Sequence, residues 1–386
     1  MNDTIYLDNA ATTSLDPQVL NAMLPYLQQH YGNPSSTYSI GRSSRSAIET
    51  ARGSVAKILG VKPSTLFFTS GGTESNNTAI AAAVNHLGCV HIITSPIEHH
   101  AVLHTVAHYA HVKQITYSFV KLTTDGMVDY DDLEAQLAEQ SAQGRKCLVS
   151  LMHANNEIGS LLDISVVGKI SRKYDALFHS DCVQTIGHYP IDLIETGAHF
   201  VSAAGHKFHG PKGTGLLYVR QDIKAYPLIF GGGQERNVRA GTENVYGIVG
   251  FAKALELATA GFEADMNHIK ALNSFMREQL SIAIPGVKFN NPEHSLYTVL
   301  SVCFPESRQN DMLVTLFDFK GVCVSGGSAC SSGDDAGSHV MKALGKDKAC
   351  ATIRFSFSKH NTKVELLKAV EIAREIFAKE AVTAVS

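Results

Sequence analysis

LFHSDCVQ at residues 177–184 and HFVSAAGHKFHGPKGTG at residues 199–215 decide what kind of fold this chain can adopt. Each begins as an apolar, strand-like run, and each carries one ionisable side chain where that run ends, Asp181 in the first and Lys207 in the second. The interval, 207 − 181 = 26 residues, fits two adjacent strands of an open α/β sheet whose carboxyl ends face one crevice, where such sheets bind ligands. A carboxylate able to salt-bridge a pyridinium nitrogen and a lysine able to form a Schiff base are what a pyridoxal-phosphate enzyme needs. By itself, a lysine before Phe-His-Gly-Pro reads as a solvated loop residue. The rest of the chain decides between the two.

On either side of that pair, apolar runs of strand length alternate with helical patterns: TLFFT then TESNNTAIAAAVNHL, HIITS then HAVLHTVAHYA, KCLVSLM then ISVVGKISRKYDA. The alternation predicts a mainly parallel sheet covered by helices on both faces. After about Gly261 the pattern changes to a long amphipathic helix through MNHIKALNSFMREQLSIA, strands at SLYTVLSVCF and ATIRFSF, a helix near DMLVTLFDF and a last helix from about Thr362. This predicts a second, smaller α+β domain. With no linker or low-complexity tract between the two, they are expected to pack tightly with the active site at their junction.

TLFFTSGGTESNN reads as strand, glycine turn and helix start, which aims the backbone N–H groups of Gly72 and Thr73 from a helix N-terminus toward a phosphate dianion. Such strings are common elsewhere, and this one gains force from Lys207 downstream. In VSGGSACSSGDDAG, Cys330 sits among small and polar residues without apolar periodicity, the setting of a mobile and accessible thiol. Cys89, Cys147, Cys182, Cys303 and Cys323 fall in or beside apolar runs and read as small core hydrophobes. Cys350 follows charged residues and is a second candidate for a reactive thiol. Seven cysteines with no CxxC pair suggest neither a disulfide framework nor a zinc ribbon, so reduced thiols are expected.

A chain of 386 residues, 44% of them hydrophobic, can bury a large core in about two domains. A net charge of −3 and a pI near 6.6 leave no electrostatic footprint for nucleic acid or an anionic membrane. A small-molecule substrate is therefore expected. The amino terminus has neither a basic region nor an apolar core, and no apolar run approaches the roughly 20 residues that span a bilayer. A cytoplasmic protein is expected, with no membrane and no direct nucleic-acid contact.

LDNAATT, GNPSS, TSGGTESNN, EHHAV, HANNEIG, RAGTEN and IRFS, with the Lys207 and Cys330 strings, resemble the cysteine desulfurases in the family's own order from Leu7 to about Ser358. The resemblance implies pyridoxal-phosphate-dependent transferase fold type I. A large domain over residues 15–260 would hold a mainly parallel seven-stranded sheet, and a small α+β domain over 261–386 would take back residues 1–14. Pyridoxal 5′-phosphate is the implied cofactor, with Lys207 as its covalent anchor, Asp181 on the ring nitrogen, and Gly72, Thr73 and His206 on the phosphate. In the family a threonine of the partner subunit completes this cradle, and Thr242 in RAGTEN matches it, which implies a homodimer. His99 matches the histidine stacked on the ring and placed for proton transfer, with His100 as an immediate rival. Gln184 and Asn156 match residues that hydrogen-bond the ring hydroxyl and the bound amino acid. Arg354 would clamp the substrate carboxylate through parallel hydrogen bonds, with Asn33 as a second contact there. A buried ion pair with an aspartate would satisfy Arg354 equally.

Two positions depart from the family's pattern. Three residues before the lysine it usually carries a phosphate-binding serine, where this chain has Ala204; Ser202 would face the same side of the strand. After GNPSS, Tyr38 replaces the usual histidine. The implied reaction converts L-cysteine to L-alanine, with the Cys330 thiolate taking the substrate sulfur as a persulfide for an acceptor protein. The interval 354 − 330 = 24 steps resembles the long-loop subgroup that serves iron–sulfur scaffolds, in which the loop cysteine can also join the ligands of the scaffold's cluster. That is the one metal role expected of Cys330. Aminotransferases and selenocysteine lyases of the same fold would share Lys207 and Asp181 without depending on Cys330. A non-catalytic sulfur-transfer scaffold and a thiol redox sensor are the alternatives of other classes, and neither needs Lys207, Asp181, Arg354 and Cys330 together.

Overall fold

The computed structural model describes residues 4–306, 310–326, 338–346 and 351–383, so Cys330 and Cys350 lie outside the described residues. A two-residue strand, β1 (Ile5–Tyr6), precedes α1 (Pro17–Gln28) and α2 (Ser39–Ile58). Asp16 starts α1 by accepting from the Gln18 N–H at 2.8 Å, and Pro17 takes the first helical position, where its missing N–H leaves no bond unmade. The predicted alternation follows: β2 (Leu66–Thr69), α3 (Gly72–Asn85), β3 (His91–Thr94), α4 (His100–Lys113), β4 (Thr116–Phe119), α5 (Tyr130–Ala142), β5 (Cys147–Ser150), α6 (Ile164–Lys173), β6 (Leu177–Asp181), β7 (Phe200–Ala204) and β8 (Gly215–Val219). Asp129 and Asp163 cap α5 and α6, each carboxylate accepting two backbone N–H groups.

Strands β2 to β8 form one sheet in the order β2-β8-β7-β6-β5-β3-β4, in which only β8 runs against its neighbours. Side chains alternate across it. Phe68, Val149, Phe178, Val201 and Leu216 enter the core on one face, while Phe67, Leu148, Leu177, Phe200 and Leu217 enter the core on the other. Both faces are apolar because helices cover both, as parallel strands require. The carboxyl ends of β2, β6 and β7 therefore open on one edge, where Gly72, Asp181 and Lys207 follow them.

Between β8 and α7 (Val245–Ala260), residues Glu235, Arg236 and Asn237 all take left-handed backbone, with φ of 44°, 56° and 66°. That conformation costs a non-glycine residue about 1–2 kcal/mol. It is held by a buried fork in which Arg52 donates from Nη1 and Nη2 to the Glu235 carboxylate at 2.8 and 2.7 Å, and the Phe68 N–H donates to the same group at 2.9 Å.

A second apolar cluster is built by α8 (Phe262–Ala283), β9 (Lys288–Phe289), β10 (Val299–Phe304), α9 (Leu313–Phe319), β11 (Val322–Cys323), β12 (Ala351–Ser356) and α11 (Lys363–Thr383), while α10 (His339–Ala343) packs in a separate small cluster with Ile97 and Ile158. Strands β12-β10-β9 form an antiparallel sheet, and β1 pairs in parallel with β11. Ile5 and Leu7 are thereby buried among Leu300, Val302 and Phe355, far from the sheet that begins with β2. Among the described residues no single helix is long and apolar enough to cross a membrane.

Cys89, Cys147 and Cys182 are buried free thiols, and burial pushes Cys89 and Cys182 up to about 12. Cys323 is free and partly buried. Cys303 departs from the expectation of reduced thiols throughout, because it is disulfide-bonded. The pairing of β10 with β12 sets Cys303 opposite Thr352, a proximity that local spacing does not reveal.

Burial pushes His153, His179, His199 and His209 down to about 4. These folded-state values lie below the unfolded value near 6.5, so the unfolded chain binds the extra protons between the two. Their contribution to stability is complete above about pH 6.5 and is lost as pH falls toward 4. The urea midpoint of the cofactor-free protein is expected to drop between about pH 7.5 and about pH 5; equal midpoints would contradict the assignment of these rings as neutral.

Candidate active site

The open edge of the sheet meets the second apolar unit at a cavity of about 370 Å³. One wall is the N-terminus of α3, with Gly72, Thr73 and Asn76 lining the space. A Cβ on Gly72 would come within 2.5 Å of Val183 Cγ2, so the backbone lies against the next loop with no room for a side chain. Bare N–H groups at the head of a 14-residue helix are left facing the cavity, a cradle for an anion.

Asp181 lies deeper and is buried. Its Oδ2 accepts from Asn76 Nδ2 at 2.6 Å and its Oδ1 from the Val183 N–H at 3.0 Å, which orients the carboxylate. The Asn76 Oδ1 has no hydrogen-bond partner. Lys207 closes the three-residue turn Gly205–Lys207 after β7, and its Nζ donates to the Ala10 and Ala11 carbonyls at 2.7 and 2.8 Å. Gln184 Nε2 donates to the same Ala10 oxygen at 3.0 Å. Beside them, His206 Nδ1 meets Thr12 Oγ1 at 3.1 Å, and burial with the neighbouring Lys207 and Lys212 pushes the ring down to about 4.

His99 caps α4: its Nδ1 accepts from the Ala101 N–H at 3.1 Å. In the neutral ring the proton is therefore on Nε2. Burial lowers its pKa against the pull of Asp181, which keeps the ring neutral at pH 7. Arg354 is 1% exposed and lines the cavity from β12. Its Nη2 donates to Asp8 Oδ1 at 2.7 Å and its Nη1 to the Asn156 carbonyl at 2.9 Å, while Nε has no partner. The ion pair that composition allowed is thus present, yet it uses one of the five guanidinium N–H groups. Donors remain for a carboxylate.

Gly72, Thr73, His99, Asn156, Asp181, Gln184, His206, Lys207 and Arg354 line this single cavity. Asn33 does not. It is exposed, and its Oδ1 accepts the Ser35 N–H at 2.9 Å, closing its own turn. Thr242 is also exposed and outside the lining. Cys330 lies outside the described residues, and among those described no group of three or more His, Cys, Asp or Glu is placed to hold a metal ion. Ala204 lines the cavity, whereas Ser202 is fully buried with its Oγ 3.1 Å from His179 Nε2, so it does not replace the missing serine. Asn76, Asp8 and the Ala10 and Ala11 carbonyls escaped the sequence reading. The i+4 spacing from Gly72 to Asn76 was a usable signal for the first; backbone acceptors leave none.

An anion cradle at one end, a carboxylate oriented by an amide at the other, and a lysine between them suit a flat, phosphorylated pyridine, and together with the sheet order they define a pyridoxal-phosphate enzyme of fold type I. The chain belongs to the aminotransferase class-V family, whose model matches residues 5–368, and its cofactor is pyridoxal 5′-phosphate. It is 41% identical over 384 residues to the cysteine desulfurase IscS of Dictyoglomus turgidum, covering 98% of this chain and 96% of that one. A solved NifS-like protein superposes with a TM-score of 0.88 at 38% identity, covering 97% of this chain and 99% of its own. SspA, solved in complex with cysteine, gives 0.79 at 31% identity over 93% of this chain and 100% of its own.

Replacing Asn76 by Ala leaves the buried Asp181 oxygen without its donor and is expected to destabilise the cofactor-free protein by about 1–3 kcal/mol. Asn76→Asp is expected to cost more, since two carboxylates would face each other. Urea titration measures both, and an unchanged midpoint in Asn76→Ala would show that this bond carries no weight.

Proposed function

We propose that this chain is a cysteine desulfurase that converts L-cysteine to L-alanine and hands the sulfur, as a persulfide on Cys330, to an acceptor protein. The observation that carries this is the gathering of Lys207, Asp181 and Arg354 with the head of α3 around one cavity of about 370 Å³, a size suited to a cofactor and a small amino acid. The desulfurase relative and the cysteine-bound neighbour support the choice of substrate.

Bound here, the cofactor supplies an electron sink for the substrate's Cα. Gly72 and Thr73 with His206 hold its phosphate, Asp181 its ring nitrogen and Gln184 its ring hydroxyl. Lys207 is its covalent anchor. His99, with Nδ1 tied to the backbone, presents its proton at Nε2 to the reacting region. Arg354 uses its remaining donors to grip the substrate carboxylate, with Asp8 fixing the plane of the guanidinium and Asn156 beside it. The Cys330 thiolate attacks the substrate sulfur: an S–S bond forms, the substrate's Cβ–S bond breaks, and the electron pair stays with the carbon fragment, which is protonated and leaves as L-alanine. An iron–sulfur scaffold is the acceptor this reading favours, and Cys330 can share a cluster with it.

A homodimer completes the phosphate cradle with Thr242 of a second copy. Its exposed position outside the cavity supports this, as do the exposed side chains of Tyr31 and Phe230, 78% and 80% accessible. Light scattering is expected to give twice the chain mass, and Thr242→Ala to weaken cofactor binding about tenfold without dissociating the dimer; a monomer that retains the cofactor fully would refute the arrangement.

With L-cysteine and a reductant under anaerobic conditions, the wild type is expected to yield alanine and sulfide in equal amounts. Cys330→Ala should retain the visible cofactor band and make no sulfide, and Lys207→Ala should lose turnover altogether. Undiminished turnover in Cys330→Ala would move the assignment to another reaction of this fold.

A further inference from the structure

The head of α3 is asked to hold two anions. Gly72 and Thr73 present it to the cofactor phosphate, and one residue further on Glu74 places a carboxylate in the same turn, the one acidic side chain there. A helix N-terminus favours either charge. Side by side the two repel, and with the Glu74 side chain only 9% exposed, solvent screens that repulsion poorly.

The carboxylate is nonetheless built into the turn. No side chain caps α3 at Gly71, and Glu74 Oε2 instead accepts the Ser70 N–H at 2.9 Å, closing the loop that leads into the cradle. Its charge is met from outside the helix. Arg239 donates from Nε to Oε1 at 3.0 Å and from Nη2 to Oε2 at 3.3 Å, a two-pronged grip between residues 165 positions apart. Against the upward push of burial, the guanidinium and the Ser70 N–H hold the Glu74 carboxyl below its ordinary range, so it is ionised at neutral pH. Arg239 lies three residues before Thr242. The same segment is fastened further along, where the Gly241 N–H donates to Gln234 Oε1 at 3.1 Å and Glu243 pairs with Arg45 at 3.0 Å.

We propose that Arg239 is a positioning residue for the cofactor phosphate: by neutralising Glu74 in the first turn of α3, it lets the helix keep its own carboxylate without driving the phosphate dianion from the cradle. This rests on the assignment of Gly72 and Thr73 to that phosphate. A guanidinium that merely braced the Thr242 segment would matter whatever stood at position 74. One that offsets a carboxylate loses its task when the carboxylate becomes an amide. Glu74→Gln makes that change, since it keeps an oxygen for the Ser70 N–H and removes the charge.

The test titrates the full-length, cofactor-free protein with pyridoxal 5′-phosphate and, separately, with pyridoxal, which lacks the phosphate, following the visible band. Arg239→Gln should weaken binding of pyridoxal 5′-phosphate about tenfold and leave that of pyridoxal within about twofold. Glu74→Gln should bind the phosphate form at least as tightly as wild type, and the double variant should recover to within about threefold of wild type. An Arg239→Gln variant that keeps the wild-type preference for the phosphate form, one that loses both ligands alike, or a double variant no better than Arg239→Gln would each overturn the proposal. Thr73→Asp, which sets an unpaired carboxylate in the cradle itself, separates the two claims. If it keeps the wild-type preference, the cradle assignment falls and this proposal with it. If it loses the preference while Arg239→Gln does not, only the proposal falls.

Discussion

The arrangement of this molecule hangs on residues 7–13, the segment that joins its two apolar units. Leu7 is packed in the second core, Asp8 pairs with Arg354, the Ala10 and Ala11 carbonyls receive Lys207, and Thr13 donates to the His206 carbonyl at 3.0 Å. Asn9 adds bonds to the Ser356 carbonyl and to Asn361. Two cations from opposite units, Lys207 and Arg354, are thus referred to one short stretch of chain, the lysine to its backbone carbonyls and the arginine to the Asp8 carboxylate. Buried charges are tolerable only with such partners. The position of one catalytic wall relative to the other is therefore an electrostatic matter as much as a hydrophobic one.

The same economy of polar partners runs through the cavity. Asp181 is oriented by Asn76 and its own turn, Arg354 by Asp8 and the Asn156 carbonyl, His99 by the first turn of the helix it caps. Each of these groups keeps at least one direction open toward the cavity, which is what distinguishes a site from a satisfied core network. His179 makes the contrast. Its two ring nitrogens lie 2.9 Å from Ser150 Oγ and 3.1 Å from Ser202 Oγ, and the ring is fully buried with nothing left to offer. Ser202 is consumed in that network, so the serine that the family usually places at position 204 has no substitute here.

Much of the fold was legible because β2, β3, β5, β6 and β7 are short apolar runs bounded by turns, and two of the helices between them, α5 and α6, have carboxylate caps. β4 was not: Thr116, Tyr117 and Phe119 are exposed at the sheet edge, so TYSF has neither a continuous apolar run nor a buried face to reveal it. Of the site, Lys207 and Asp181 could be argued from strand ends alone, and Gly72 from the turn before a helix. His99 could be told from His100 only by resemblance, and the structure separates them physically, since His99 is the residue that caps α4. Asn33 matched a motif but spends its side chain on its own turn. Cys303 read as a reduced core thiol because it lies in an apolar run, and nothing local to that run marks its disulfide.

The sequence by itself determined the class of chemistry. A lysine and a carboxylate 26 residues apart at strand ends, a glycine turn before a helix, and the order of the motifs are local properties that short-range sterics and hydrogen bonding impose wherever the rest of the chain goes. Only the tertiary structure decided that Asp8 shares Arg354, that Asn76 orients Asp181, that Ser202 is occupied and that Ser338 reaches Glu157. Those contacts join residues separated by 346, 105, 23 and 181 positions. Proximity at such distances comes from packing two cores against a common segment, and no local pattern encodes it.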